Sequence, residues 1–503
     1  MSAPMSDGIP SYVDLYSISD LHLGGTTPAG QIFCQGARVK ALAEKLAELP
    51  GPLAFVIAGD LFDSLPYLTN TGAYIAVDGA ADILRTIMAD PSFAPVFDGL
   101  RTYLAAPNRD LIILIGNHDL EIAFPETQEA LLQEIARTPE ARGRVRFSTA
   151  GVGFKCRVGD RVVYITHGNE ADPWNHVDHE ALRRAAHARV LGQKFDSRQW
   201  VPNAGTKLVI DVMNGVKSRY AFIDLLKPER KAAINVLSIL APKELAGLVD
   251  ALPAFADAAR AHTGPHVVLG ADGRLIETQP PAVRLLGDAT RTAFHRQGAG
   301  STGPMMARVA EYERNRVRAV DLVSDEESNL GRAQYYVDRL FGKEAEDALR
   351  RALVDWLEGD LTFSLQDRDE VCKGVLSQLG SGIDVVVTGH THLPRWIDAR
   401  EQRVTYLNAG AWARVIGLRP EFLTEDAFGP VYESLTTATM DSLDNASASI
   451  EGVPVPLVLD ACAAAHVKEE KKFTRVELLR VVLKGTTVDF VYVDPNESAL
   501  EWR

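Results

Sequence analysis

The sequence predicts an α/β protein of stacked strand and helix layers, interrupted by a large, mostly helical insertion. Between residues 13 and 174, the apolar runs YSISDLH, LAFVIAGD, LIILIGNHD and VVYITHGN alternate with longer helical patterns, as layered strands and helices do. Each run passes directly into polar, glycine-marked sequence, which puts the polar residues in loops at the ends of buried strands, where ligands gather. After a long helical stretch the same pattern resumes in IDVVVTGHTHLPR and RVTYLNAGAWAR, so the insertion divides one domain and does not separate two.

Along the chain, a catalytic-type domain is expected over 11–175. Within it GFKCRV and RVVYITH, joined by Gly159-Asp160, read as an antiparallel hairpin that carries His167 to the common rim. Residues 176–380 form the insertion, with helical patterns in HEALRRAAHARVLGQKF, PKELAGLVDALPAFADAARA and KEAEDALRRALVDWLEG, a small hairpin in HVVLGADGRLIE and a loop in RQGAGSTGPM. The first domain resumes over 381–417. Residues 418–469 are mixed and carry no assignment, and the alternation in TRVELLRVVLKGTTVDFVYVD predicts two strands within 470–503 that return to the sheet.

With 503 residues and 46% hydrophobic composition the chain can bury a large core. A net charge of -14 repels polyanions and argues against extended nucleic-acid contact. Cys34, Cys156, Cys372 and Cys462 show no C-x-x-C spacing, which argues against a zinc ribbon or a disulfide framework. The N-terminal MSAPMSDGIPSYVD lacks a leader pattern and no run is apolar for long enough to span a bilayer. The expectation is a cytoplasmic protein, with peripheral membrane contact left open.

The chemistry lies in the strand-end loops. Asp20 and His22 are two apart, so they share a face and can converge on one ion, and His390 and His392 in GHTH repeat that spacing. Asp60 in GDLFD, Asn117, His118 and Asp119 in GNHD, and His167 in THGN lie between them. Carboxylate, imidazole and amide together suit Mn, Fe or Zn better than a Mg or Ca cage. Singly, each pair reads more readily as a solvated or hydrogen-bonded loop; the ordered set is what carries the metal reading.

In that order the motifs D-x-H, G-D-x-x-D, G-N-H-D, H and G-H-x-H resemble the calcineurin-like metallophosphoesterases. The resemblance implies a four-layer sandwich of two mixed β-sheets flanked by helices. It implies two divalent metal ions, Mn2+ first, with Fe or Zn as alternatives. Asp20, His22, Asp60 and His392 would hold one ion, while Asp60, Asn117, His167 and His390 would hold the other. His118 would meet the phosphate and protonate the leaving oxygen, with Asp119 orienting its ring. Asp63 is expected behind the ligands, as an acceptor for an imidazole N–H. Ions so held would activate water for in-line attack on phosphorus without a covalent intermediate.

Arg395 and Arg414, beside the ligand loops, are candidate grips for substrate phosphate. Trp412 reads as a substrate-facing or a core aromatic, and His176 and His179, just after the His167 loop, read as an extension of the site or, more often for such positions, as surface residues at the start of the insertion. The insertion between HGN and GHTH, together with HGNEADPWN and YLNAGAW, is similar in layout to the UDP-2,3-diacylglucosamine pyrophosphatase-like branch, but the insertion is larger than that branch's cap. The expected function is therefore hydrolysis of a phosphoester or pyrophosphate bond in a phosphorylated small molecule or nucleotide-linked substrate, selected by a helical cap. The alternatives are a metal-dependent nuclease of the same superfamily and a catalytically silent scaffold.

Overall fold

Two seven-stranded sheets form the centre of the molecule. The computed structural model describes residues 5–6, 8–26, 30–69, 71–217, 220–227, 236, 266–269, 275–278, 345–357, 359–437 and 439–501. In the first sheet Asp14–Ile18, Leu53–Ala58, Arg109–Leu114 and Val145–Ser148 run parallel. The three at the centre are buried along their whole length, which is why they read as unbroken apolar runs. Beyond Asp14–Ile18 the sheet continues antiparallel through Ala463–Glu469, Thr474–Lys484 and Thr487–Tyr492.

The second sheet takes the order Met5–Ser6, Ile9–Tyr12, Phe154–Val158, Arg161–Ile165, Val385–Thr388, Val404–Ala409, Pro394–Ala399. Phe154–Val158 and Arg161–Ile165 pair as an antiparallel hairpin, and Arg161–Ile165 runs parallel to Val385–Thr388, which follows the insertion.

The layers follow from the two-residue period of each strand. Leu15, Val56 and Ile112 point between the sheets, against Cys156, Val163, Ile165, Val385 and Val387. Their neighbours Tyr16, Phe55, Ile57, Leu111 and Ile113 point outward to Val39, Leu42, Val96, Phe97 and Leu100 of helices Gly36–Glu48 and Ala94–Ala105. On the far side Val386, Ile397 and Tyr406 meet Val371, Cys372, Val375 and Leu376 of helix Glu370–Gln378. The result is the four-layer sandwich of two mixed sheets flanked by helices. Each large apolar side chain buried this way contributes about 1.5–3 kcal/mol before entropy is counted.

Two assignments shift. Helix Glu370–Gln378 falls in the stretch read as insertion, yet its apolar face covers the second sheet, so that sheet's helical layer begins at Glu370. The stretch 418–469 contains helices Phe428–Thr437 and Met440–Asn445, the hairpin Ser447–Ile450 with Val453–Pro456, and the strand Ala463–Glu469.

Much of this stretch shares a second core with the insertion: Phe222, Leu225, Leu226, Leu349 and Leu353 pack with Phe422, Phe428, Val431, Leu435 and Leu443. A short parallel ladder, Leu226 to Ile416 and Lys227 to Gly417, ties the insertion to the end of 381–417. Of the remaining insertion, His179–Val190 and Ala345–Leu357 are helices, and His266–Leu269 pairs antiparallel with Leu275–Thr278. The stretches PKELAGLVDALPAFADAARA and RQGAGSTGPM lie outside the described residues.

One polar cluster closes the seam between the chain's two ends. His466 sits between Asp14 and Glu477, 2.8 Å from each, and stacks on Tyr16 at 4.2 Å. Lys468 lies 3.7 Å from Asp14, and Arg475 lies 4.0 Å from Glu477. Burial opposes the ring's charge, but its hydrogen bonds to the two carboxylates outweigh burial and raise its pKa. A raised folded pKa means stability that is complete below the unfolded value of about 6.5 and is lost as pH rises through the folded value. His466→Gln is therefore expected to cost about 3–5 kcal/mol near pH 6, the scale of breaking a buried pair. The gap to wild type should narrow in thermal melts as pH rises above the unfolded value. A gap that stays constant with pH would show that His466 does not titrate in this way.

Candidate metal centre

Parallel strands of both sheets end on one rim, and each delivers a motif there. Asp20 and His22 follow Asp14–Ile18, Asp60 and Asp63 follow Leu53–Ala58, and Asn117 to Asp119 follow Arg109–Leu114. His167 follows Arg161–Ile165, and His390 and His392 follow Val385–Thr388. Backbone bonds tie the loops together: the amide N–H of Asp20 donates to Gly59 O at 3.2 Å, that of His22 to Asp60 O at 2.9 Å, and that of Gly389 to His167 O at 2.9 Å.

The local backbone is strained in a pattern that marks the site. Asp20, His22, Asp60, His390 and His392 all have φ between 51° and 69°. The left-handed region costs an L-residue roughly 1–2 kcal/mol, and such strain persists only where surrounding contacts fix it, typically at functional sites. Two glycines exist for the same reason. A Cβ on Gly116 would collide with the Asp60 carboxylate, and one on Gly389 would collide with Ser19 and Asp20.

Both carboxylates are pinned by one oxygen and present the other. Asp60 Oδ1 accepts the His118 N–H at 2.9 Å, which leaves Oδ2 at 3.1 Å from His167 Nε2 and 3.7 Å from His22 Nε2. Asp20 Oδ2 accepts the His390 N–H at 2.9 Å, which leaves Oδ1 at 3.4 Å from His392 Nε2. His167 Nδ1 is hydrogen-bonded to Ala58 O at 2.8 Å, which turns Nε2 to the centre.

The donor set fits divalent cations on two further counts. Asp20 Oδ1, Asn117 Oδ1 and His167 Nε2 are buried without a hydrogen-bond partner, a costly state unless a cation meets them. His22 Nε2 and His392 Nε2 lie 3.0 Å apart, close enough for one cation to be held by both imidazoles. Ligand atoms of Asp20, His22 and His392, of His22, Asp63 and His118, and of Asp20, Asp60 and His167 each gather within 4.8 Å.

Electrostatics agree with this geometry. Burial would raise the Asp60 carboxyl, but the His167, His118 and His22 imidazoles hold it below the usual range. Asp20 is likewise held well below it, burial being outweighed by the neighbouring imidazoles of His22 and His392. Burial and then Lys227 push His392 down to about 4, which keeps it neutral as a metal ligand must be. Burial depresses His167, yet Asp60 carries it up to about 10, a proton that a cation would displace.

His118 is partly exposed beside this cluster. Its Nδ1 lies 3.1 Å from Asp63 Oδ1, so the carboxylate expected to orient its ring, Asp119, is replaced in that contact by Asp63. Asp119 instead accepts the N–H groups of Gly116 at 2.7 Å and Leu61 at 2.8 Å, which ties two ligand loops together. Burial lowers the His118 pKa, but Asp60 and Asp63 bring it up to about 9.

Several other expectations are corrected. Arg395 is 1% exposed and bonds to Asp369, Asp367 and the carbonyls of Ser364 and Pro394. Arg414 pairs with Asp444 and donates to Gln31 O. Both guanidiniums are held by carboxylates, and neither is set to grip phosphate. Trp412 is a core residue whose Nε1 donates to Ala463 O at 2.9 Å.

Positive charge enters instead from the insertion. Lys217, buried and paired with Asp224, acts electrostatically on Asp63 and His118, and buried Lys227 acts on His392. Asn214, on the same short helix Asn214–Lys217, donates through Nδ2 to Thr69 Oγ1 at 2.8 Å. No motif marked either lysine. Asp172 and Asn175 also contact the cluster; their signal was the polar run after HGN.

Fold and donor set together define a metal-dependent phosphoester hydrolase. Residues 15–220 match the family model described as Calcineurin-like phosphoesterase. A comparison with curated proteins finds no match.

Asp60 touches both halves of the cluster, so Asp60→Ala is expected to empty or scramble both cation positions. Metal analysis of the purified variant tests this, and two ions still bound would rule out the bridging role.

Proposed function

We infer that the protein hydrolyses a phosphoester or pyrophosphate bond in a phosphorylated small molecule or nucleotide-linked substrate. The observation that supports this most directly is the set of buried, partnerless donor atoms on Asp20, Asn117 and His167, two of which, on Asp20 and His167, gather with ligand atoms of Asp60, His22 and His392. Asp20, His22, Asp60 and His392 would hold one divalent ion, and Asp60, Asn117, His167 and His390 the other, with Mn2+ the first choice. When bound, such ions supply Lewis-acid charge to phosphoryl oxygens and lower the pKa of water.

The remaining work falls to the chain. Asp63 fixes the His118 ring through Nδ1, which leaves Nε2 to donate a proton to the departing oxygen. The carboxylates that raise its pKa keep that proton available at neutral pH. Lys217 and Lys227 add positive charge on two flanks of the cluster, which suits an anionic substrate better than a neutral one. Net charge of -14 disfavours a nucleic-acid polyanion as that substrate, and the helical insertion over 176–380 would select what enters.

With Mn2+ present, bis-p-nitrophenyl phosphate or a UDP-sugar is expected to turn over while single-stranded DNA stays intact. Inactivity on every phosphate substrate with two ions bound would refute a hydrolase. His118→Ala should lower kcat by ~10²–10⁴-fold, the usual loss of a general acid, while metal content stays at the wild-type level. Unchanged kcat in that variant would remove His118 from proton transfer.

A further inference from the structure

The contacts around the two cation positions differ in origin. Asp20, His22, Asp60 and His392 are held by loops of the sandwich itself: Gly59 and His390 contact Asp20, and His118 contacts Asp60. The second set includes Asn117 and His390, and both are touched by the loop that opens the insertion. Asp172 Oδ2 lies 2.9 Å from His390 Nε2. Asn175 Oδ1 lies 3.5 Å from Asn117 Nδ2, on the amide whose Oδ1 is buried without a partner.

This loop is built to be rigid. Asp172 Oδ1 accepts the Trp174 N–H at 2.9 Å, and its Oδ2 accepts Asn175 Nδ2 at 2.8 Å. The Asn175 carbonyl accepts Asn169 Nδ2 at 3.0 Å and Asn203 Nδ2 at 3.4 Å, while Gly205 N–H donates to Trp174 O at 2.8 Å. Asn203 in turn caps helix Ala204–Leu208 through the Thr206 N–H at 2.7 Å. A stem drawn from the insertion therefore locks Asp172 and Asn175, and they in turn fix one imidazole and one amide.

For an imidazole this geometry has a defined effect. A carboxylate on one ring nitrogen selects the tautomer with its proton there, orients the plane and makes the other nitrogen a stronger donor. With Nε2 committed to Asp172, Nδ1 becomes the donor atom of His390. Asn175 does the equivalent for the amide, since an acceptor on Nδ2 aims Oδ1 as the ligand atom.

We propose that Asp172 and Asn175 are positioning residues for the second cation, acting through His390 and Asn117, so that the insertion's stem determines whether the centre holds one ion or two. This rests on the two-cation reading above. The first position does not depend on the loop and keeps its ion when the loop is altered.

The test is metal stoichiometry and affinity in the full chain. Wild type, Asp172→Ala, Asp172→Asn and Asn175→Ala would be titrated with Mn2+ and read by elemental analysis and electron paramagnetic resonance. Asp172→Ala should keep one ion and bind the other about 10–100-fold more weakly, the usual cost of losing such a partner. The spectrum should change from a coupled pair to a single Mn2+, and excess Mn2+ should restore the pair. Asp172→Asn, which keeps an acceptor, should lie between Asp172→Ala and wild type, and Asn175→Ala should weaken the same ion. Melting of the metal-free proteins separates this from a folding defect, because a merely structural role would lower the melting temperature and leave the affinity ratio of the two ions unchanged. Equal retention of both ions in Asp172→Ala, or equal loss of both, overturns the inference. A wild type that binds no ion pair overturns the two-cation reading itself, and this inference with it.

Discussion

Everything at the rim depends on keeping two ionised carboxylates, Asp20 and Asp60, in a buried place. Taking an anion out of water costs several kcal/mol even after relaxation, and no lysine or arginine pairs directly with either of these two among the described contacts. Imidazoles surround them, and one oxygen of each is held by a backbone N–H. Such a site is stable only with positive charge at its centre, and this single demand explains the left-handed ligand residues, the glycines behind them and the partnerless oxygens.

The sandwich provides the means. Parallel strands in both sheets end at the same side, so residues from distant parts of the chain reach one rim without long loops. The backbone bonds between ligand loops, such as Asp20 N–H to Gly59 O, make the loops one unit. Small errors in one strand register would thus displace several ligands together, since a one-residue slip sends every side chain to the opposite face.

Much of this was legible in the sequence because two signals coincide. Apolar runs that end in Asp, His or Asn after glycine carry both the strand and its chemistry, and LIILIGNHD is the clearest case. Where the signals separate, reading fails. The strand Ala463–Glu469 is written as AAAHVKE, and alanine says little about strands, although Ala463, Ala465 and Val467 face the core between the sheets. The resemblance implied Asp119 as the partner of His118, whereas Asp63, distant in sequence, reaches the ring through space. Arg395 and Arg414 lie beside the ligand loops in sequence but fold back onto carboxylates. Lys217 and Lys227 come from the insertion, where helical periodicity announces packing but not which residue overlooks a distant cluster.

The pairing of Asp14–Ile18 with Ala463–Glu469 has a consequence for biosynthesis. Translation releases Asp14–Ile18 long before Ala463–Glu469, and until then one edge of the earlier strand stays open. Sheet edges left in that condition invite intermolecular pairing and slow, late closure. The imidazole clasped by Asp14 and Glu477 then fastens the earlier strand to the two later ones.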